Sequence, residues 1–232
     1  MLKIRSFSYI LNEKRGKMKT KFYVICMCVC CLLSVWNLQE ATAKVESAGD
    51  GKISISSPKT ALLIIDIQND YFKGGKYELE GSSEAGSQAR KILDVFRKNK
   101  FPVIHIRHES KQKEPSFFAP NTEGQKIHES VTPLPDEPVF TKHNVSSFEQ
   151  TPLAEHLEKE KIRRLIIIGM QTNVCVLGTV KDGVKKKGLE IIVLSDAAAA
   201  RKTSIHNETL PKIETAGAKI MTAADFIKAM AE

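Results

Sequence analysis

From residue 60 onward, short apolar runs rich in β-branched residues recur, each bounded by turn residues and most followed by a stretch with helical spacing. Residues 61–65 (ALLII), 102–106 (PVIHI), 165–168 (LIII) and 189–194 (LEIIVL) read as buried strands, with 139–140 a shorter candidate and 218–221 (AKIM) a last one. Between them, 84–98, 151–161, 174–187, 206–216 and 223–230 carry helical spacing. Runs that are apolar on both faces need cover on both faces. Alternation of this kind therefore predicts an α/β fold, a three-layer α-β-α arrangement around a mostly parallel, doubly wound sheet. No internal repeat or low-complexity tract interrupts it. The irregular stretch 109–138, rich in Pro, Gly and charge, is long for a connection inside a compact domain and is expected to act as a lid or binding loop.

The chain before residue 59 has a different character. Met18, Lys19, Thr20 and Lys21 form a short basic start, 22–36 an apolar stretch, and Ala41-Thr42-Ala43 a small-x-small exit. This is the pattern of a secretory signal peptide over 1–43 with its start at Met18, followed by a polar leader over 44–58 and a domain over 59–232. The competing reading is an uncleaved anchor, but the stretch is shorter than the roughly 20 apolar residues a spanning helix needs. The expectation is an exported protein, periplasmic or secreted, with no stable membrane insertion after cleavage. Residues 1–43 hold seven of the 35 Lys and Arg and two of the 27 Asp and Glu, so the net charge drops from +8 to +3 without them. That removes the case for a nucleic-acid partner. Cys26, Cys28, Cys30 and Cys31 all lie in the apolar stretch, which leaves Cys175 as the single thiol of the domain. An unpaired thiol in an exported domain is either inert filling or chemically used.

In a doubly wound sheet, ligands bind outside the carboxyl ends of the strands. Three polar residues follow apolar runs there: Asp66 in IDIQNDYF, Lys142 in PVFTKHNVSSF, and Cys175 in GMQTNVCV, where a helix is about to start. Singly, each has an ordinary reading as a turn or cap residue, a surface lysine, and a core-filling thiol. As a set they describe a nucleophilic site. A helix N-terminus and a nearby ammonium would lower the thiol pKa, and a carboxylate would take its proton and return it to a leaving amine. Backbone N–H groups around Gln171 and Cys175 would hold an oxyanion.

The segments TALLIIDIQNDYF, EPVFTKHNVSSFEQTPL and LIIIGMQTNVCVLGTV, in that order, resemble the isochorismatase-like cysteine hydrolases, the family that includes nicotinamidases, N-carbamoylsarcosine amidase and ureidoacrylate amidohydrolase. The resemblance spans roughly 59–231. It implies a catalytic triad of Asp66, Lys142 and Cys175 and a cis peptide between Met170 and Gln171 that aims the Gln171 N–H at the oxyanion. It also implies a pocket lined by Gln68 and Phe72, a small-molecule substrate, and a homo-oligomer. Two departures bear on the chemistry. Metal-dependent nicotinamidases carry an Asp-x-His pair, whereas this chain offers His105-Ile106-Arg107-His108, and residues three apart on a strand point to opposite faces. No metal and no cofactor are expected. Isochorismatases proper, which cleave a vinyl ether, generally lack the cysteine, so Cys175 moves the expectation to cleavage of a C–N bond in a small amide or ureido compound. An ester or vinyl-ether hydrolase of the same family, or a non-enzymatic binding module on the same fold, are the alternatives.

Other features stay open at this level. His143 beside Lys142 suggests a Cys-His protease pair, without any further protease signature. Phe117, Phe118 and Phe148 either wall a pocket or pin the long loop. Asn144-Val145-Ser146 and Asn207-Glu208-Thr209 match the glycosylation acceptor pattern.

Overall fold

The computed structural model describes residues 59–231; the expected signal peptide (1–43, starting at Met18) and leader (44–58) lie outside the described residues. Six strands form one sheet: β1 Thr60–Ile65, β2 Val103–His108, β3 Val139–Lys142, β4 Arg164–Met170, β5 Glu190–Ala199 and β6 Lys219–Met221. Every neighbouring pair is parallel and the order is β3-β2-β1-β4-β5-β6. Parallel neighbours require crossovers: helices α1 Ser82–Lys98, α2 Leu153–Lys159, α3 Leu177–Lys187 and α4 Thr203–Thr215 supply four of them, the irregular stretch 109–138 joins β2 to β3, and α5 Ala223–Ala231 follows β6.

Strand side chains alternate between two cores. Leu62 and Ile64 of β1 pack with Ile166, Ile168, Ile192 and Leu194 against α1 and α5, through Ala89, Ile92, Phe96 and Phe226. On the opposite face, Ala61, Leu63 and Ile65 pack with Leu165, Ile167, Ile191 and Val193 against α2, α3 and α4, through Leu157, Val180 and Ile213. The result is the expected three-layer arrangement, with β1 buried along its whole length. Each wholly buried Leu or Ile contributes on the order of 1.5–3 kcal/mol relative to exposure, which is why apolar runs rather than alternating ones specify this sheet.

The winding reverses between β1 and β4. From β1 the chain moves outward to β2 and β3, then crosses back to β4 and continues outward to β5 and β6. The crevice at that switch point lies outside the carboxyl ends of β1 and β4. Gly169 marks how closely the two strands approach: its φ is +138°, and a Cβ there would lie 2.1 Å from the Ile65 carbonyl oxygen. Only glycine fits this position.

The 109–138 stretch contains two short 3-10 turns, Glu123–Gln125 and Glu129–Val131, and is tied down by buried polar groups. Asp70 is the main anchor. Its Oδ2 accepts the Phe118 N–H (2.6 Å), its Oδ1 accepts the Lys76 N–H (3.1 Å), and Gly124 approaches so closely that a Cβ would meet the carboxylate. Phe118 is fully buried, 4.7 Å from Tyr71 ring to ring, and Phe117 packs on Tyr77 at 4.7 Å. Both rings pin the loop to the domain. Phe148 instead packs beside Gly183 near Ile191, on the α2–α3–α4 face. Among the described residues no helix is long and apolar enough to cross a membrane.

Candidate active site

Asp66 follows β1 directly, and its N–H donates to the Ile106 carbonyl of β2 (3.0 Å). Its φ of +51° lies in the left-handed region. Aspartate tolerates that region better than most residues, at a cost of order 1–3 kcal/mol that the flanking strands hold in place. Lys142 is the last residue of β3, paired in register with His108 of β2. Cys175 lies in a π-helical turn, Thr172–Val176, that runs straight into α3. The Val176 N–H donates to the Gln171 carbonyl five residues back (3.2 Å), the wide turn often found at functional sites. The Met170–Gln171 peptide at the end of β4 is cis.

These elements bring Asp66, Lys142 and Cys175 together. The Lys142 ammonium lies 2.8 Å from Asp66 Oδ2 and 3.2 Å from Cys175 Sγ. It also donates to the Asn144 carbonyl (3.0 Å) and to His108 Nδ1 (2.9 Å). Asp66 and Lys142 have no exposed surface, and Cys175 is 5% exposed. Burial works against the charged form of Lys142, but the Asp66 carboxylate, joined by the Cys175 sulfur when that is ionised, more than offsets it and holds the ammonium above its usual range. The thiol goes the other way from the expectation of a lowered pKa. Burial and then the Asp66 charge push it up to about 12, with Lys142 only partly opposing them. At that value the Cys175 sulfur is a neutral thiol near neutral pH. A helix N-terminus is too weak a field to overcome the loss of hydration in so enclosed a place.

His108 shares this shell. Burial, followed by the Lys142 charge, pushes it down to about 4, so the ring is neutral at physiological pH. Because an ammonium only donates, Nδ1 carries no proton. Asp66, His108 and Cys175 hold ligand-type atoms within 4.8 Å of one another. The Lys142 ammonium sits among them, in the place a metal ion would need, and His105 turns away to Glu137 (2.9 Å). These residues do not fit a metal centre.

With the geometry in place, comparison with known proteins is decisive: the isochorismatase domain model matches residues 60–225. The chain belongs to the isochorismatase family. Within it, the chain is 41% identical over 152 residues to the isochorismatase family protein YddQ of Bacillus subtilis strain 168, covering 66% of this chain and 84% of that one. It is 25% identical over 211 residues to the ureidoacrylate amidohydrolase RutB of Methylorubrum extorquens, covering 77% of this chain and 85% of that one. Among solved structures, an isochorismatase-like hydrolase from Alkaliphilus metalliredigens matches with a TM-score of 0.69 and 27% identity, over 74% of this chain and 97% of that one. This isochorismatase-family chain is accordingly a hydrolase.

The remaining expected site residues are placed as follows. Gln68, expected in the pocket wall, spends its amide on backbone: Nε2 donates to the carbonyls of His108 (2.9 Å) and Gln125 (2.7 Å), and Oε1 accepts the His108 N–H (2.7 Å). It ties the end of β2 to the loop and has no donor left for a ligand. Phe72, the other expected wall residue, stacks on His128 with ring centroids 3.5 Å apart and packs against Gly86 of α1, within the core. His143 faces the Glu109 carbonyl (2.8 Å) rather than Cys175, which removes the protease-like pairing. Asn144 lends its carbonyl to Lys142, while Asn207 is exposed on α4.

Sequence reasoning passed over Tyr71 and Thr172. Gln171 Nε2 donates to the buried Tyr71 hydroxyl (3.3 Å). That hydroxyl is held well above its usual pKa first by burial, then by the Cys175 sulfur when that is ionised and by the Asp66 charge, so it stays protonated. Thr172 Oγ1 lies 2.8 Å from His206 Nδ1, which links the turn that carries Cys175 to α4. Tyr71 stands one residue before Phe72 in IDIQNDYF, so the same segment held the signal.

Proposed function

We propose that this protein is an exported cysteine amidohydrolase that cleaves a C–N bond of a small amide or ureido substrate through Cys175, Asp66 and Lys142. The observation that carries the proposal is the wholly buried Lys142 ammonium between the Asp66 carboxylate and the Cys175 sulfur, 2.8 Å from one and 3.2 Å from the other. The amidohydrolase name of the relative from Methylorubrum extorquens supports the C–N assignment. The N-terminal sequence supports export.

The thiol proton passes to Asp66, and the Lys142 ammonium stabilises the thiolate so formed. Charge over the three groups is unchanged by this transfer, which makes it feasible in so enclosed a site. The sulfur adds to the substrate carbonyl carbon, and the oxyanion is held by the backbone N–H groups of Gln171 and Cys175. Asp66 returns its proton to the leaving nitrogen as the C–N bond breaks. Water, deprotonated by Asp66, then attacks the thioester; the C–S bond breaks, the acid leaves, and Asp66 passes the proton to the departing thiolate, which restores the thiol. The high resting pKa of the thiol suits this order of events, because the thiolate forms with substrate in place.

A panel of small amides and ureido compounds, run with wild type and Cys175→Ala side by side, tests the reading. Hydrolysis of at least one compound by wild type and none by the variant is expected. Turnover that survives in Cys175→Ala, or activity confined to esters or vinyl ethers, would refute it.

A further inference from the structure

A lysine ammonium has three hydrogens, and Lys142 has four acceptors within 3.2 Å. Three of the contacts have hydrogen-bonding direction: His108 Nδ1, the Asn144 carbonyl and Cys175 Sγ. Asp66 Oδ2 is the nearest of the four, yet its approach lacks hydrogen-bonding direction, so it meets the ammonium chiefly as an ion pair. We propose that His108 is a positioning residue of this site: by accepting one ammonium hydrogen at Nδ1, it keeps Lys142 turned towards Cys175 and leaves the Asp66 carboxylate open to the thiol proton. The inference rests on the triad reading given above.

The physical reason is competition for lone pairs. A carboxylate that accepts a hydrogen bond from an ammonium holds a proton less well than one that only feels its charge. Without an acceptor at the His108 position, the third hydrogen has an oxygen waiting 2.8 Å away, and the pair becomes an ordinary salt bridge. Asp66 would then be a weaker base for the thiol. His108 is well fixed for its task. Its N–H and its carbonyl are both held by the Gln68 amide, it stands opposite Lys142 in register, and its ring packs 5.8 Å from that of Phe118. The charged or titratable groups that face it are Lys142 from β3, Asp66 from β1, His143, and Cys175 from the turn before α3. Burial and the lysine charge keep the ring neutral, so the acceptor is present across the physiological range.

Two polar replacements separate this role from simple packing. In His108→Asn the side-chain oxygen takes the place of Nδ1, whereas in His108→Gln the polar atoms fall near the place of Nε2. With an amide or ureido compound that wild type hydrolyses, His108→Asn is expected to keep kcat within about threefold. His108→Gln is expected to lose roughly 10- to 100-fold in kcat with KM changed less than about threefold. Iodoacetamide labelling of Cys175, followed on its own peptide by mass spectrometry, should slow in His108→Gln and not in His108→Asn. Equal losses in the two variants, or a loss carried by KM alone, would overturn the proposal. A measurement on wild type stands beside these whether or not the variants fold: nitrogen NMR of the His108 ring at neutral pH should show the proton on Nε2, and a proton on Nδ1 would overturn the proposal. Absence of any amide or ureido hydrolysis by wild type would refute the functional reading, while labelling and ring tautomer would still decide the part played by His108.

Discussion

His105 and His108 stand three residues apart on β2 and belong to two opposite kinds of ionic cluster. His105 joins Glu137 and Arg97, where nearly every polar group is answered. Glu137 accepts from Arg97 Nε and Nη2 (2.8 Å each), from His105 Nε2 (2.9 Å) and from the Leu134 N–H (2.9 Å). Burial opposes ionisation of that carboxyl, but these donors outweigh it and hold it down at about 2. His108 joins Lys142, Asp66 and Cys175, where neither carboxylate oxygen receives a well-directed hydrogen bond among the described residues and Asp66 sits at positive φ. A satisfied cluster fixes structure: Arg97 also donates to the Thr132 carbonyl (2.7 Å), so α1 clasps the end of the 109–138 loop. A cluster with poorly directed contacts keeps lone pairs that can still receive a proton, which is the capacity the proposed mechanism uses.

The strongest way to break this contrast is Asp66→Asn. Asparagine accepts the left-handed backbone, so the fold should persist, while turnover should fall by about 10² to 10⁴ with the proton acceptor gone. Steady-state kinetics and a circular dichroism melt would check both halves. Retention of activity would mean that the free carboxylate does nothing.

Glu137→Gln should show the converse. Turnover should stay within about threefold, while urea unfolding should show a loss on the order of 1–3 kcal/mol, at the low end because Arg97 keeps some exposure to water. The pH dependence should follow. A carboxyl whose folded pKa is depressed contributes stability above its ordinary value near 4.5, and that contribution drains away as pH falls towards about 2. Wild type should therefore lose stability across that interval more steeply than Glu137→Gln. Parallel curves would show that the pairing in this cluster has no energetic weight.

The smallest effect should come from Tyr71→Phe, which removes the acceptor of the Gln171 amide. One neutral hydrogen bond contributes about 0.5–1.5 kcal/mol, so a reduction of roughly two- to tenfold in kcat is expected with the melting temperature little changed. A loss as large as that of Asp66→Asn would move Tyr71 from the rim of the reactive cluster into its centre.

Much of the architecture is legible in the chain itself. Runs such as ALLII and LIII are apolar on both faces, and the observed β1 and β4 contain them within a residue or two. β5 is harder. It continues five residues past Leu194 to Ala199 through SDAAA, whose polar and alanine residues carry little strand preference and are held by pairing with β4 beyond a bulge. Asp66, Lys142 and Cys175 are accessible through the strand-end rule, since topology alone gathers those ends. The thiol's ionisation is not, because burial decides it and no motif encodes burial. Gln68 and Phe72 lie in a telling segment, but only the backbone trace shows that one clamps β2 to the loop and the other packs beneath it. Strand parity correctly separates the rings of His105 and His108. It does not reveal that one of them meets a buried ammonium.

Lys142 ends a four-residue strand at the border of the sheet, with β2 as its one partner strand among the described residues. Border strands are the first to fray under native conditions, and hydrogen exchange reports such openings well below the free energy of global unfolding. Cys175, by contrast, follows a central strand buried from end to end. On the proposed mechanism, mild heating or dilute denaturant is therefore expected to withdraw Lys142 from Cys175 first, so that turnover should be lost before the melt.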